Sequence, residues 1–216
     1  YFFFFYFIFM PRKRRIRRRK KLPAGLRALK EVRKLKKETK QEVKFEDTVL
    51  DTNIGYGGMT TIFISGISQG DGENDRDGNE CWIKGVNLKF LVDNIHTTAD
   101  AVIRVMLFQD MDCDGTSPTT AELLEEIDWS SFRNLENIRR FKVLHDKIFV
   151  LGPSGVNNSL RVIRKSFKMS KKLVFHGATG ATTDARSGAY FVGFMTNLTA
   201  GGNPVVEGTA RVRFTD

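Results

Sequence analysis

The segment "CWIKGVNLKFLVD", residues 81–93, decides the fold class. Apolar and polar side chains alternate along most of it, and a period of two places successive side chains on opposite faces of a β-sheet. We predict that Trp82, Val86, Leu88, Phe90 and Val92 lie nearly on one face, turned toward a core. The segment is therefore predicted to be a half-buried β-strand.

Similar segments recur through the rest of the body, where runs rich in Val, Ile, Phe and Thr are separated by Gly, Asp and Asn. Within the body, only residues 119–127, TTAELLEEI, have a helical pattern. Eight strands in about 170 residues fit two facing antiparallel sheets, so we predict an all-β, eight-stranded antiparallel jelly roll or a similar sandwich. The predicted strands are residues 43–51, 59–68, 81–93, 101–110, 142–151, 160–175, 189–197 and 205–215.

Three connections are longer than the core of a sandwich needs. They are residues 69–80, 111–141 and 176–188, and all are rich in turn-forming residues. Long connections in compact domains tend to carry contacts or function, and we expect these three to do so.

The charge of the chain is divided unevenly. Residues 10–44 contain 17 Lys or Arg and only three Glu, a net charge of +14, whereas residues 45–216 contain 18 basic and 22 acidic side chains. A cationic arm on a slightly anionic body is typical of proteins that bind nucleic acid or a membrane surface. We assign residues 10–44 as a basic nucleic-acid-binding arm and residues 45–216 as the folded domain.

The arm has two parts. Nine of the ten residues 12–21 are Lys or Arg, which neutralise phosphates and have no use in a core. After them, Leu26, Leu29, Val32 (or Arg33) and Leu35 recur at helical spacing, which predicts a short helix that depends on a partner. We expect the arm to be partly disordered or helical and to bind nucleic acid without base specificity, while a nuclear localisation signal read by a host import factor is a compatible second role. The predicted phosphate-binding residues are Arg12, Lys13, Arg14, Arg15, Arg17, Arg18, Arg19, Lys20, Lys21, Arg27, Lys30, Arg33 and Lys34.

Residues 1–9, YFFFFYFIF, are almost purely aromatic. They are too short to span a membrane, and the charges follow the apolar stretch, the reverse of their order in a secretory signal. We expect them to be an upstream extension of the reading frame that is not translated naturally, and the natural protein to begin at Met10. A membrane-active aromatic segment is the alternative.

Asp110, Asp112 and Asp114 in "DMDCDG" match the start of a calcium-binding loop. The match then fails, because the twelfth position is Ala121 and Glu122 comes one place late. A solvated turn is the default interpretation, and a looser calcium site at a subunit contact is the alternative, since neighbouring carboxylates repel one another unless a cation intervenes.

No pattern in the sequence predicts catalysis. The three histidines, His96, His145 and His176, are scattered, and the nucleophile-elbow, Walker and dinucleotide-binding motifs are missing. The spacing of Cys81 and Cys113 is not that of a metal site, and we expect both to be reduced thiols. Arg139 and Arg140 are candidates either for nucleic-acid contact or for salt bridges between subunits.

The order of several segments resembles the capsid proteins of small circular single-stranded DNA viruses that encode a replication initiator, especially those with coats similar to that of satellite tobacco necrosis virus. The resemblance spans about residues 12–215, and its firmest parts are "QGDGENDRDG" with Arg76 and Gly78, "VIRVMLFQD" ending in Asp110 and followed by "SPT", and "RFKVLHDKIF". It implies a jelly-roll subunit, a T=1 icosahedral shell of 60 copies, and a basic arm that faces the packaged genome.

The leading hypothesis is therefore a non-enzymatic coat protein, found in the virion and, during assembly, in the host nucleus, that encloses single-stranded DNA. RNA is the alternative cargo, because Lys and Arg bind either phosphate backbone. The rival hypotheses are a monomeric or small-oligomer β-sandwich with a nucleic-acid-binding tail, and a secreted lectin or hydrolase. We expect no membrane partner and no cofactor apart from the calcium alternative.

Overall fold

The computed structural model describes residues 23, 25–26, 28–32, 42–199 and 202–216. The chain divides after residue 40 into two units. In the first unit, residues 25–26 and 28–32 are helical, and Leu26, Leu29 and Val32 are exposed. These helical positions overlap the predicted arm helix, while Arg33 and Leu35 lie outside the described residues, so the partner-dependent helix stays a prediction.

The second unit contains nine strands within its described residues. A single turn of α-helix, α1, spans Thr120–Leu123, and a 3-10 turn spans Thr182–Asp184. The strands are β1 Lys44–Asn53, β2 Thr60–Phe63, β3 Glu80–Asp93, β4 Ala101–Asp110, β5 Phe141–Leu151, β6 Leu160–Phe175, β7 Ala185–Ser187, β8 Ala189–Thr196 and β9 Val205–Thr215.

The strands form two antiparallel sheets, one in the order β1-β9-β3-β6-β7 and the other in the order β2-β8-β4-β5. Phe90 of the first sheet meets Phe194 of the second edge to face, with ring centroids 5.4 Å apart. Buried apolar residues of both sheets belong to one core, so the body is a two-sheet sandwich. The predicted all-β class with facing antiparallel sheets is confirmed.

The predicted count of eight strands is wrong, because β7 is a ninth strand. With only three residues it is too short to show an alternating pattern, and tertiary pairing with β6 alone defines it. The predicted strand 59–68 shortens to Thr60–Phe63. Beyond it, Ile64 and Ser65 remain buried, and the Ser65 hydroxyl accepts a hydrogen bond from the Tyr190 N–H.

The predicted helix 119–127 shortens to α1. Its start is fixed by Glu122, whose carboxylate accepts hydrogen bonds from the N–H and hydroxyl of Thr119. The chain leaves the helix at Leu124, which is fully buried and pairs with Arg133 in an isolated bridge. Tertiary pairing therefore overrides helix propensity after one turn.

Strand β3 is confirmed, but one of its predicted core residues is misplaced. Its register with β9 shifts between Ile83 and Gly85, which marks a β-bulge. Since one extra residue reverses the inward parity, Cys81 and Ile83 face the core before the bulge and Val86 faces it after. Trp82 is therefore turned outward and is 44% exposed.

Arg76 ties two of the long connections together. Its guanidinium is fully buried, donates to the carbonyls of Ile67 (2.9 Å), Gly78 and Gly177, and lies 4.1 Å from the centre of the Phe175 ring. Loops 69–80 and 176–188 thus share one anchor at the same end of the sandwich. No helix among the described residues is long and apolar enough to cross a membrane.

Candidate nucleic-acid interface

Of the thirteen predicted phosphate-binding residues of the arm, one lies in the described part of the chain. Lys30 lies on the helical segment and is exposed. The other twelve predicted positions lie outside the described residues, so their role stays a prediction. They are Arg12, Lys13, Arg14, Arg15, Arg17, Arg18, Arg19, Lys20, Lys21, Arg27, Arg33 and Lys34.

The arm joins the body at Lys44, which the structure assigns to the first position of β1. Its ammonium group forms salt bridges with Asp77 at 2.9 Å and Asp216 at 2.7 Å, and donates to the Asp75 carbonyl at 2.8 Å. The hydrogen bonds to Asp216 and Asp77 raise the pKa of Lys44 well above its usual range. Lys44 therefore anchors the start of β1, and its charge is committed to the body.

A second cationic surface lies on β6, which sequence reasoning treated only as a strand. This strand carries six of the 18 basic side chains of residues 45–216 and none of the 22 acidic ones. All six side chains are exposed. They are Arg161, Arg164, Lys165, Lys168, Lys171 and Lys172. The signal was visible in the sequence as a run of cations unopposed by any acid within residues 160–175.

The pairing of β6 with β3 extends this surface across the sheet. Arg164 lies opposite Lys89, and the next outward-facing pair, Ser166 and Asn87, is joined by a hydrogen bond of 2.6 Å. These residues line a shallow groove together with Lys165. The groove therefore offers the guanidinium of Arg164, the ammonium of Lys89 and neutral polar groups beside them, whereas the Lys165 side chain points to the other face of β6.

The charges on β6 are mostly uncompensated. Within the described part of the chain, Lys172 is the one β6 cation with a salt bridge, to Glu80 at 2.6 Å. Arg161 lies 5.0 Å from the centre of the Phe149 ring, a contact that leaves its charge free for an anion. Like charges gathered on an exposed strand repel one another, and this repulsion is removed when a polyanion binds there.

His145 lies beside the same surface, on β5. Its ring is 5.8 Å from that of Phe167, and burial together with the charges of Lys165 and Lys147 lowers its pKa. Asp146, the adjacent residue, points away and forms a two-bond ion pair with Arg104 at 2.8 and 2.9 Å.

The guanidinium group of Arg140 lies at the centre of the predicted aspartate cluster. Asp110 is fully buried, and both its oxygens accept hydrogen bonds from Arg140, at 3.0 and 2.9 Å. Arg140 also bonds Glu122 at 2.7 Å and lies 3.3 Å from Asp114. Arg140 is thus a cation within its own subunit, which corrects both interpretations offered for it, whereas Arg139 is exposed.

The structure of one subunit does not support calcium binding by the predicted aspartate cluster. Across the described residues, no group of three or more His, Cys, Asp or Glu side chains is arranged to hold a metal ion. The Arg140 guanidinium already bonds Asp110 and Asp114, while Asp112 is exposed. A calcium site at a contact between subunits stays a prediction.

The chain matches one protein family over almost its whole length. Residues 11–216 match the family described as the satellite tobacco necrosis virus coat protein. The chain belongs to this family. It is therefore a viral coat protein, a structural protein of the virion whose copies assemble into a shell, and not an enzyme.

The coat protein is also similar to chains of known structure at low identity. A chain from Desmodium yellow mottle tymovirus is 8% identical, with 81% of this chain and 89% of that one covered and a TM-score of 0.31. A chain from the Gx strain of infectious bursal disease virus is 12% identical, with 81% and 33% covered and a TM-score of 0.33. No curated protein sequence matches the coat protein.

Proposed function

We propose that this coat protein is a jelly-roll subunit that assembles into a T=1 icosahedral shell of 60 copies and packages single-stranded DNA through its N-terminal basic arm. The strand orders β1-β9-β3-β6 and β2-β8-β4-β5 support the jelly roll, because each sheet interleaves strands from distant parts of the chain. The copy number and the DNA cargo follow from the resemblance to capsids of small circular single-stranded DNA viruses.

The separation of charge carries the proposal. Residues 10–44 carry a net charge of +14, while residues 45–216 carry 18 basic against 22 acidic side chains. Because Lys44 is paired within the body, each arm offers about +13, so sixty arms bring about 780 positive charges and would neutralise on the order of 780 phosphates, a substantial share of a genome of one to a few kilobases. A flexible polycation suits this cargo because no two subunits meet the same local path of the strand.

The exposed cations of β6 support a polyanionic cargo independently of the arm. They form a surface on the folded domain that has no acidic counterpart on its own strand. The basic arm would also direct the newly made chain to the host nucleus through an import factor, because import factors recognise the same density of Lys and Arg.

Electron microscopy of the expressed chain tests assembly, and deletion tests the arm. We expect uniform shells from the full chain, and shells without nucleic acid after deletion of residues 10–24. Shells that retain their cargo after this deletion would contradict the proposed role of the arm, and a chain that stays monomeric would favour the rival sandwich with a nucleic-acid-binding tail.

The salt dependence of binding measures how many phosphates the arm contacts. For single strands, each phosphate contact contributes about 0.7 to the slope of log affinity against log salt concentration. Replacing the nine cations of residues 12–21 with Gln is therefore expected to lower the slope by up to about 6. Lys142→Gln and Lys147→Gln, which lie outside the arm and β6, provide a control, and sequencing of nuclease-protected cargo distinguishes DNA from RNA.

A further inference from the structure

The connection between α1 and β5 presents an apolar surface that the folded subunit does not bury. We define residues 124–140 as the platform. Four of its large apolar side chains are exposed, with Phe132 80% and Leu135 67% accessible to solvent. The other two are Ile127 and Ile138.

Hydrogen bonds from polar side chains to backbone carbonyls hold the platform in place. Arg104, a buried residue of β4, donates to the carbonyls of Trp129 at 3.1 Å and Ser131 at 2.6 Å. Asn134 and Asn137 donate from their side chains to the carbonyls of Ala121 and Glu122, at 2.9 and 3.0 Å.

Backbone hydrogen bonds complete this support. The Glu125 N–H donates to the Phe132 carbonyl at 3.0 Å, and the Asn134 N–H donates to the Leu123 carbonyl at 2.9 Å. Polar groups therefore hold this loop to the body, while four large apolar side chains face solvent among exposed charged ones. A loop anchored in this way presents Phe132 and Leu135 in a fixed geometry, which lowers the entropy cost of binding.

We propose that the platform is a contact between copies of this chain, formed where equivalent platforms of neighbouring subunits meet at a symmetry axis. This inference rests on the proposed function, because a shell of identical subunits requires such contacts. Membership of a coat-protein family implies a shell of copies, and closed assemblies bring equivalent surfaces together around their axes.

The exposed apolar area suits this partner. The four side chains together expose on the order of 500 Å² of apolar surface. Two platforms in contact would bury roughly 1,000 Å², the area above which specific interfaces are distinguished from chance contacts. Nucleic acid fits less well, since the four apolar side chains offer no positive charge, and the exposed Arg133 and Arg139 of the platform are outnumbered by its exposed glutamates.

Charge substitution on the platform tests the contact. We expect Phe132→Asp with Leu135→Asp in the full chain to lower the fraction of protein in shells at least tenfold. The matched control, Tyr56→Asp with Val156→Asp, changes two other exposed apolar residues, both outside the strands, and is expected to assemble as the unsubstituted chain does. Thermal melting of the unassembled chains monitors folding, which solvent-exposed substitutions should leave intact.

A mixing experiment tests whether equivalent platforms meet. Chains with Phe132→Asp alone and chains with Phe132→Lys alone should each assemble poorly, and an equimolar mixture should recover shells at least tenfold above either variant. A mixture that stays unassembled would overturn the contact between equivalent platforms.

The outcomes separate this inference from the proposed function. Normal shells from the doubly substituted platform variant would overturn the inference and leave the coat function standing. Normal shells that no longer bind host cells would assign the platform to a host partner and also overturn it. An unsubstituted chain that never assembles would overturn both.

Discussion

Among the cations that remain partly exposed, Arg140 is the one whose replacement, by Leu, should lower the free energy of unfolding of the body most. Asp110 is fully buried, and Arg140 supplies hydrogen bonds to both of its oxygens. Leu retains part of the apolar stem but removes the guanidinium, whose central carbon lies 4.8 Å from the centre of the Phe141 ring, so a charged carboxylate remains in the interior without its counter-ion.

The expected cost follows from burial. Breaking a buried pair by removing one partner typically costs about 3–5 kcal/mol, whereas the more exposed pairs with Asp114 and Glu122 contribute about 0–1 kcal/mol each. For a chain of this size the main term corresponds to a fall in Tm of about 6–20 °C. Most of the loss in free energy of unfolding therefore comes from leaving the buried carboxylate of Asp110 without its counter-ion.

Urea unfolding of the unassembled chain measures the effect, and Arg139→Leu is the matched control. Arg139 is the adjacent residue and is exposed, so the same change of charge there should alter the free energy of unfolding by no more than about 0.5 kcal/mol. Adding Asp110→Asn to Arg140→Leu should recover part of the stability, because a neutral amide is less costly to bury than a carboxylate. Equal effects of Arg140→Leu and Arg139→Leu would refute the reasoning.

Three further predictions concern the body. Arg76→Lys should lower the free energy of unfolding by about 1–3 kcal/mol, because an ammonium group cannot replace the fork that bonds three backbone carbonyls. Urea unfolding beside the exposed control Arg133→Lys checks this, and equal stabilities would contradict it. Hydrogen bonds from Thr hydroxyls lower the pKa of Asp114 and Asp184, so their stabilisation is present above the unfolded pKa near 4 and is lost as pH falls through the lower folded values. Urea midpoints should therefore fall with acidification, less steeply in Asp184→Asn, and an unchanged slope in that variant would be the contrary result. A chelator should leave the Tm of the unassembled chain unchanged, since Arg140 already balances the aspartate cluster; a fall in Tm that Asp112→Asn abolishes would instead establish calcium binding.

The sequence predicted the longer strands because their alternation is local. β4 and β6 match their predicted bounds, and β3 matches within one residue. What the sequence could not show depends on contacts between distant residues. The bulge that turns Trp82 outward is defined by the pairing of β3 with β9. The short strand β7 is defined only by its pairing with β6.

The candidate sites divide in the same way. The basic arm is visible as composition, and the cations of β6 could have been noticed by counting charges within its strand. The role of Arg140 could not, because its partners Asp110 and Glu122 are 30 and 18 residues away in sequence. The length of connection 111–141 predicted that it carries contacts, but the sequence could not show which of its apolar side chains are exposed.

The antiparallel pairing of β1 with β9 brings Lys44 opposite Phe214, and the Lys44 ammonium reaches Asp216. A peptide attached after Asp216 would therefore leave the body beside the residue where the polycationic segment enters it. In a shell whose polycations face the genome, that attachment point opens to the interior, so a fused enzyme or fluorophore would be carried as cargo and shielded from proteases outside.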